Sequence, residues 1–196
     1  MSDIEKLRTL AKFVLENAIK FDWSLQGLGM LRLYIGDDTR LHVWDKRFAF
    51  PGASPIHDHQ QWGLHSTVLS GRMRNYRFIE STDGVRYMYK TIRAGVGCID
   101  LSAENMTALK RQPVEIYDAG RSYWQRPEEI HESDPIDGTV TIMHKTPTKD
   151  PEAARVFWRV GETWGSAEPR PATQAEIIAI TRYALGWWGV VEYSRQ

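Results

Sequence analysis

Apolar residues recur at helical spacing over the first twenty positions, where Ile4, Leu7, Leu10, Ala11, Val14, Leu15 and Ala18 fall on one stripe. Ser2 and Glu5 stand ahead of it in the S-x-x-E arrangement of a capping box, which satisfies free N–H groups at a helix start. An amphipathic N-terminal helix is predicted. From residue 31 the period shortens to two. The segments LRLYI (31–35), RLHVW (40–44), HSTVLS (65–70), RNYRFI (74–79) and VRYMYKTI (85–92) alternate or carry β-branched and aromatic residues. Breakers separate them: Gly36-Asp37-Asp38, Pro51-Gly52, Ser70-Gly71, Thr82-Asp83-Gly84 and Gly95-Val96-Gly97. Further strands are expected over 96–101, 114–117, 122–127 and 139–145. Thr173 and Glu176 form a second capping box, opening a helix over Ile177, Ile178, Ile180, Thr181, Tyr183 and Ala184 that stops near Gly186.

Many short strands with frequent turns predict a mostly β fold, a sandwich or a barrel, with one helix at each end. No repeat or long linker divides the chain. It reads as one domain: a helical N-terminal extension over 1–28, a barrel over 31–147 and a C-terminal extension with a helix over 148–196.

Composition narrows the chemistry. The 25 Lys+Arg balance the 25 Asp+Glu, and no basic run exceeds two residues, so a phosphate-neutralising nucleic-acid binder is not expected. One cysteine, Cys98, excludes an internal disulfide framework and a multi-cysteine zinc site; its β-like surroundings predict a small buried residue. No window approaches the ~20 apolar residues of a membrane span. The N-terminus has no continuous apolar core of a signal peptide, so a cytoplasmic location is expected. What remains distinctive is 8 Trp and 6 His.

The histidines carry the main chemical signal. His57 and His59 sit at i and i+2, so on an extended strand they project from one face and converge, while Asp58 points away. Paired imidazoles suit Fe, Zn, Ni, Cu or Mn. The alternative is one packed and one exposed histidine with no ion.

A Pro-Gly turn precedes the pair, and Gly71 closes the strand after it. Far downstream, GRSYWQRPEEIH (120–131) places His131 behind a Gly…Pro framework. Together these segments resemble the two motifs of the cupin superfamily over residues 31–147. The resemblance implies a jelly-roll barrel with a metal inside it. The glutamate of the first motif is absent, since positions 63 and 64 are Gly63 and Leu64, and the second motif is one residue short. Three histidines without that carboxylate resemble the branch of cysteine dioxygenase and 3-mercaptopropionate dioxygenase, and HDHQQWG (57–63) is especially similar to the latter group. The resemblance implies Fe(II) on His57, His59 and His131. It also implies a relay histidine at His144, although the relay's serine and tyrosine positions hold Ile142 and Thr146. Leu64 stands where that family has a crosslinking cysteine, and Arg32 corresponds to an arginine that holds a substrate carboxylate.

Other residues remain open between roles. His65 either replaces the lost glutamate as a ligand or points outward by alternation. His42 reads as a sheet-face or core residue. Glu129 and Glu132 flank His131 as candidate carboxylate ligands or as solvated groups. Arg72, Arg74 and Arg77 line a strand, with Arg77 on the opposite face from the other two. Trp62, Tyr123 and Trp124 are candidates for an aromatic pocket wall, of which Trp62 and Tyr123 join Arg32 as expected substrate contacts.

The leading expectation is an Fe(II) dioxygenase acting with O2 on a small thiol- or carboxylate-bearing molecule. Two alternatives stand beside it: a non-oxidative isomerase or lyase using Zn, Ni or Mn as a Lewis acid, and a ligand-binding module without chemistry. A homodimer is expected from the commonness of two-fold assembly.

Overall fold

A computed structural model describes residues 1–59, 62–93, 99–100, 104–147, 154–165 and 168–193. Cys98, and most of the strand expected over 96–101, lie outside the described residues. Helix α1 spans Asp3–Glu16, and its capping box forms as expected: the Ser2 N–H donates to the Glu5 carboxylate at 2.6 Å, and the Glu5 N–H to Ser2 Oγ at 3.4 Å. Ala11, Val14 and Leu15 are buried along the stripe, whereas Leu10 lies half exposed at its edge. A single 3-10 turn, Ala18–Lys20, then redirects the chain, held by Trp23 Nε1–H donating to the Ala18 carbonyl at 2.9 Å.

Fourteen strands follow among the described residues: β1 (Ser24–Gln26), β2 (Leu28–Tyr34), β3 (Thr39–Ala49), β4 (Ile56–His57), β5 (Trp62–Ser70), β6 (Arg72–Arg93), β7 (Ile99–Asp100), β8 (Asn105–Arg111), β9 (Glu115–Asp118), β10 (Ser122–Gln125), β11 (Ile130–Pro135), β12 (Val140–Pro147), β13 (Ala154–Arg159) and β14 (Arg170–Pro171). Helix α2 spans Gln174–Tyr193. All pairings are antiparallel. One sheet runs β10-β5-β12-β3-β2-β1-β14, and the other β11-β4-β13-β6-β7, with β8 and β9 also paired to β6.

Four boundaries differ from the sequence reading. β1 lies inside the segment read as a helical extension, and β13 lies past residue 147, yet it pairs with both β4 and β6 in the second sheet. The segments 74–79 and 85–92 belong to one strand, β6. Its partner register jumps so that Glu80 and Val85 both face Leu109, which turns Thr82-Asp83-Gly84 into a bulge rather than a break. Helix α2 also runs through Gly186, where a lone glycine costs only about 1 kcal/mol and the next turn buries Trp188.

Alternation sorts the side chains of the first sheet between two apolar layers. Leu31, Leu33, Leu41, Val43, Leu69 and Val140 face the helices and pack with Val14, Leu15, Ile177, Ile180 and Ala184. Their neighbours Trp44, Leu64, Val68 and Met143 face the other way, where they meet Met73 of the second sheet and Tyr123. A Gln125 to Asn75 hydrogen bond of 3.0 Å also joins the sheets. Gly71, between β5 and β6, has φ +81°, and a Cβ there would lie 2.5 Å from Thr139 Oγ1, so the tight turn accepts only glycine without strain. Among the described residues, no helix is long and apolar enough to cross a membrane.

Candidate metal centre

β4 is only two residues long, yet it holds the key register: His57 lies directly opposite His131 of β11. Directly paired antiparallel residues bring their Cβ atoms within about 4.5–5.5 Å, which accounts for ring centroids 4.6 Å apart. His59 follows two positions later and returns to the same face. Its ring lies 4.6 Å from that of His57 and 5.0 Å from that of His131. One ligand nitrogen from each of the three lies within 4.8 Å of the others.

Asp58 enforces this convergence from the opposite face. It is fully buried, and its carboxylate accepts the backbone N–H of Arg155 at 2.7 Å and Arg155 Nε–H at 2.7 Å. The Asp58 N–H in turn donates to the Arg155 carbonyl at 3.1 Å. With the intervening residue pinned outward, both histidines must point inward. The His59 N–H donates to the Pro127 carbonyl at 3.0 Å, tying the first motif to the turn that leads into the second.

Hydrogen bonding sets which nitrogen is free. His57 Nδ1 lies 3.0 Å from the Pro55 carbonyl, and His131 Nδ1 lies 2.8 Å from the Glu129 carbonyl. A carbonyl oxygen only accepts, so each Nδ1 carries the hydrogen and each Nε2 presents a lone pair. This is the outer hydrogen bonding typical of metal-binding imidazoles. His57 Nε2 and His59 Nε2 are 3.1 Å apart. Metal–nitrogen bonds of about 2.1 Å, at angles from octahedral to tetrahedral, place two ligand nitrogens about 3.0–3.4 Å apart. The donor set therefore fits a transition-metal ion.

Burial keeps the rings neutral, as a metal requires. Desolvation, reinforced by His57 and opposed by the hydrogen bond to Glu129, pushes His131 from 6.5 down to about 3. Desolvation likewise lowers His57 and His59. Because the unfolded chain binds protons near 6.5 and the folded His131 does not, metal-free protein is expected to lose stability as pH falls below ~6.5, levelling off only near the lowered value. Denaturant unfolding of chelator-treated protein should show a lower midpoint at pH ~5 than at pH ~7. An unchanged or higher midpoint would contradict neutral burial.

The other expected residues sort clearly. Trp62 stacks on His59 with centroids 3.9 Å apart, so it does border the group. Tyr123 is buried between the sheets, and burial raises its pKa. Arg32 lies cross-strand from His42, on the face of β2 opposite the helix-packed Leu31 and Leu33. His144 is not brought to the group: Met143 faces the inter-sheet core, so His144 points outward, exposed and 3.1 Å from Thr39 Oγ1. His65 stacks on the exposed Trp124 at 4.6 Å and is no ligand either, because Leu64 takes the inward position. The Glu129 carboxylate is held by Arg77 and by the Arg126 N–H, so it supports His131 through its backbone and not as a ligand. Glu132 is outside the group, and burial raises its pKa. Arg72 and Arg74 are engaged with Asp118 and Asp134.

Arg40 was not singled out in the sequence. Its guanidinium lies 5.4 Å from the Trp62 ring and 4.7 Å from that of Tyr34. The signal was present in RLHVW: Arg40, His42 and Trp44 alternate on one face, and Trp44 fixes that face as the inner one.

These features define a mostly β protein of two antiparallel sheets, with a buried three-histidine group able to hold a metal ion. A scan of protein-family models gives no match, and a search of curated proteins gives no significant similarity.

Proposed function

We propose that this chain is a metal-dependent enzyme of the cupin type that uses iron(II) on His57, His59 and His131 for an O2-dependent oxidation of a small anionic substrate. One observation carries the reading: three imidazoles, His131 buried and His57 and His59 half-buried, converge, two of them presenting Nε2 because Nδ1–H is fixed on a carbonyl. Two antiparallel sheets with a shared interior support a jelly-roll reading of the fold. Iron bound by three imidazoles would offer open positions to a substrate donor and O2, together with the redox chemistry that joins them.

The chain's own part is positioning. Pro55 and Glu129 hold two rings in orientation through their carbonyls, Asp58 and Arg155 keep the ligand strand in register, and Trp62 covers one side of His59. Arg32 supplies positive charge for an anionic substrate group, and Tyr123 walls the interior.

Iron-loaded protein is expected to consume O2 with a subset of small carboxylates or thiols, and His131→Ala to abolish that consumption while remaining folded. Full activity in metal-free protein would overturn the reading. One observation favours a second chemistry. His144 points outward, with Ile142 and Thr146 around it, so the relay residues of thiol dioxygenases have no counterpart here. Turnover under anaerobic conditions with Zn, Ni or Mn would identify a Lewis-acid isomerase or lyase instead.

A further inference from the structure

The inner face of β2 and β3 carries three basic side chains with little to answer them. Arg32 and Arg40 flank the same ring, Tyr34, at 5.0 and 4.7 Å. Neither forms an ion pair among the described residues; Arg32 Nε–H reaches only Ser24 Oγ at 3.3 Å, and Arg40 Nε is buried without a hydrogen-bond partner. His42, cross-strand from Arg32, is 6% exposed, and its Nε2 also has no partner. Leaving a buried donor unsatisfied is costly, and two adjacent guanidinium charges repel. A feature of this kind persists where a ligand completes it.

The charge count says what kind of ligand. Asp38 is the acidic group that acts on Arg40, and it is shared with Lys145, whose Nζ lies 3.9 Å away. Arg32, Arg40 and Lys145 against Asp38 leave a surplus of two positive charges. A single carboxylate would leave one of them unanswered. The cluster also adjoins the metal centre: Arg40 lies beside Trp62, which stacks on His59.

We propose that Arg32, Arg40 and His42 form a recognition site for a small dianion, a dicarboxylate or a doubly charged oxyanion, that enters beside the three-histidine group. The guanidinium groups bind the charges, and His42 turns its unpartnered Nε2 toward one oxygen. The inference rests on the proposed function only for the role of the ligand as substrate; the binding itself requires no metal.

Calorimetric titration of metal-free protein tests it, with succinate, malonate and inorganic phosphate against butyrate and acetate. At least one dianion is expected to bind about tenfold or more tightly than the matched monoanion, the effect of one added charge-assisted hydrogen bond. The identity of the preferred dianion separates the dicarboxylate from the phosphate source. Arg40→Gln should lower that affinity about tenfold or more, with Arg40→Lys partly restoring it; Arg32→Gln serves as a second variant should the first fail to fold. Equal binding of monoanions and dianions, no binding at millimolar concentration, or an Arg40→Gln protein of unchanged affinity would each overturn the proposal. Failure of O2 consumption with dianion binding intact would sink the proposed function alone.

Discussion

Replacing His131 with alanine is expected to lower divalent-metal affinity by more than about a hundredfold, because even residues that merely orient a ligand account for 10–100-fold. His131 is the most buried of the three rings and lies directly opposite His57, so its loss removes one donor and leaves the other two on a single short segment. Competition titration against a chromophoric chelator measures this change. The same substitution removes a buried imidazole without leaving a charge behind, so a folded protein with lost metal affinity is the expected pair of results. Retained affinity would show that the metal sits elsewhere.

The second large effect falls on a residue that holds no metal. Asp58→Ala is expected to destabilise the fold by about 3 kcal/mol or more, the usual cost of breaking a buried ion pair by removing one partner. Arg155 then loses the acceptor of its backbone N–H and of its Nε–H, and keeps Glu80 at 3.3 Å from Nη1. Arg155→Ala should cost at least as much, because it removes the counter-charge of a fully buried carboxylate, whereas Asp58→Ala leaves Arg155 its pairing with Glu80 at 3.3 Å. Metal affinity should also fall in Asp58→Ala, since the pinned residue between His57 and His59 is what sends both rings inward. Unfolding midpoints of metal-free protein give the first quantity, and metal titration of the folded variant gives the second. A stable variant with unaltered metal affinity would refute the clamp.

How much of this was legible depended on how local the cause was. Both capping boxes and the shared face of His57 and His59 follow from spacings of two or three residues, and they appear in the structure as read. His131 became legible through a motif, although its pairing with His57 is a long-range register that no local pattern encodes. The Thr82-Asp83-Gly84 breaker was misread as a strand end because a long strand absorbs it as a bulge, an outcome decided by the partner Leu109. β13 was missed for a similar reason: its place between β4 and β6 depends on tertiary pairing. The resemblance implies a relay histidine at His144, whereas alternation from the buried Met143 turns that residue out. Arg40 and His42 were readable in principle, because Trp44 marks their face, but only once that face was known to border the histidines.

The central claim is that His57, His59 and His131 bind one metal ion together. Anomalous diffraction from crystals of iron-loaded protein grown without oxygen tests it most directly. The account predicts a single peak about 2.0–2.2 Å from the Nε2 atoms of all three histidines. A peak at any other site, or none at the three histidines in protein that retains its iron, would contradict it.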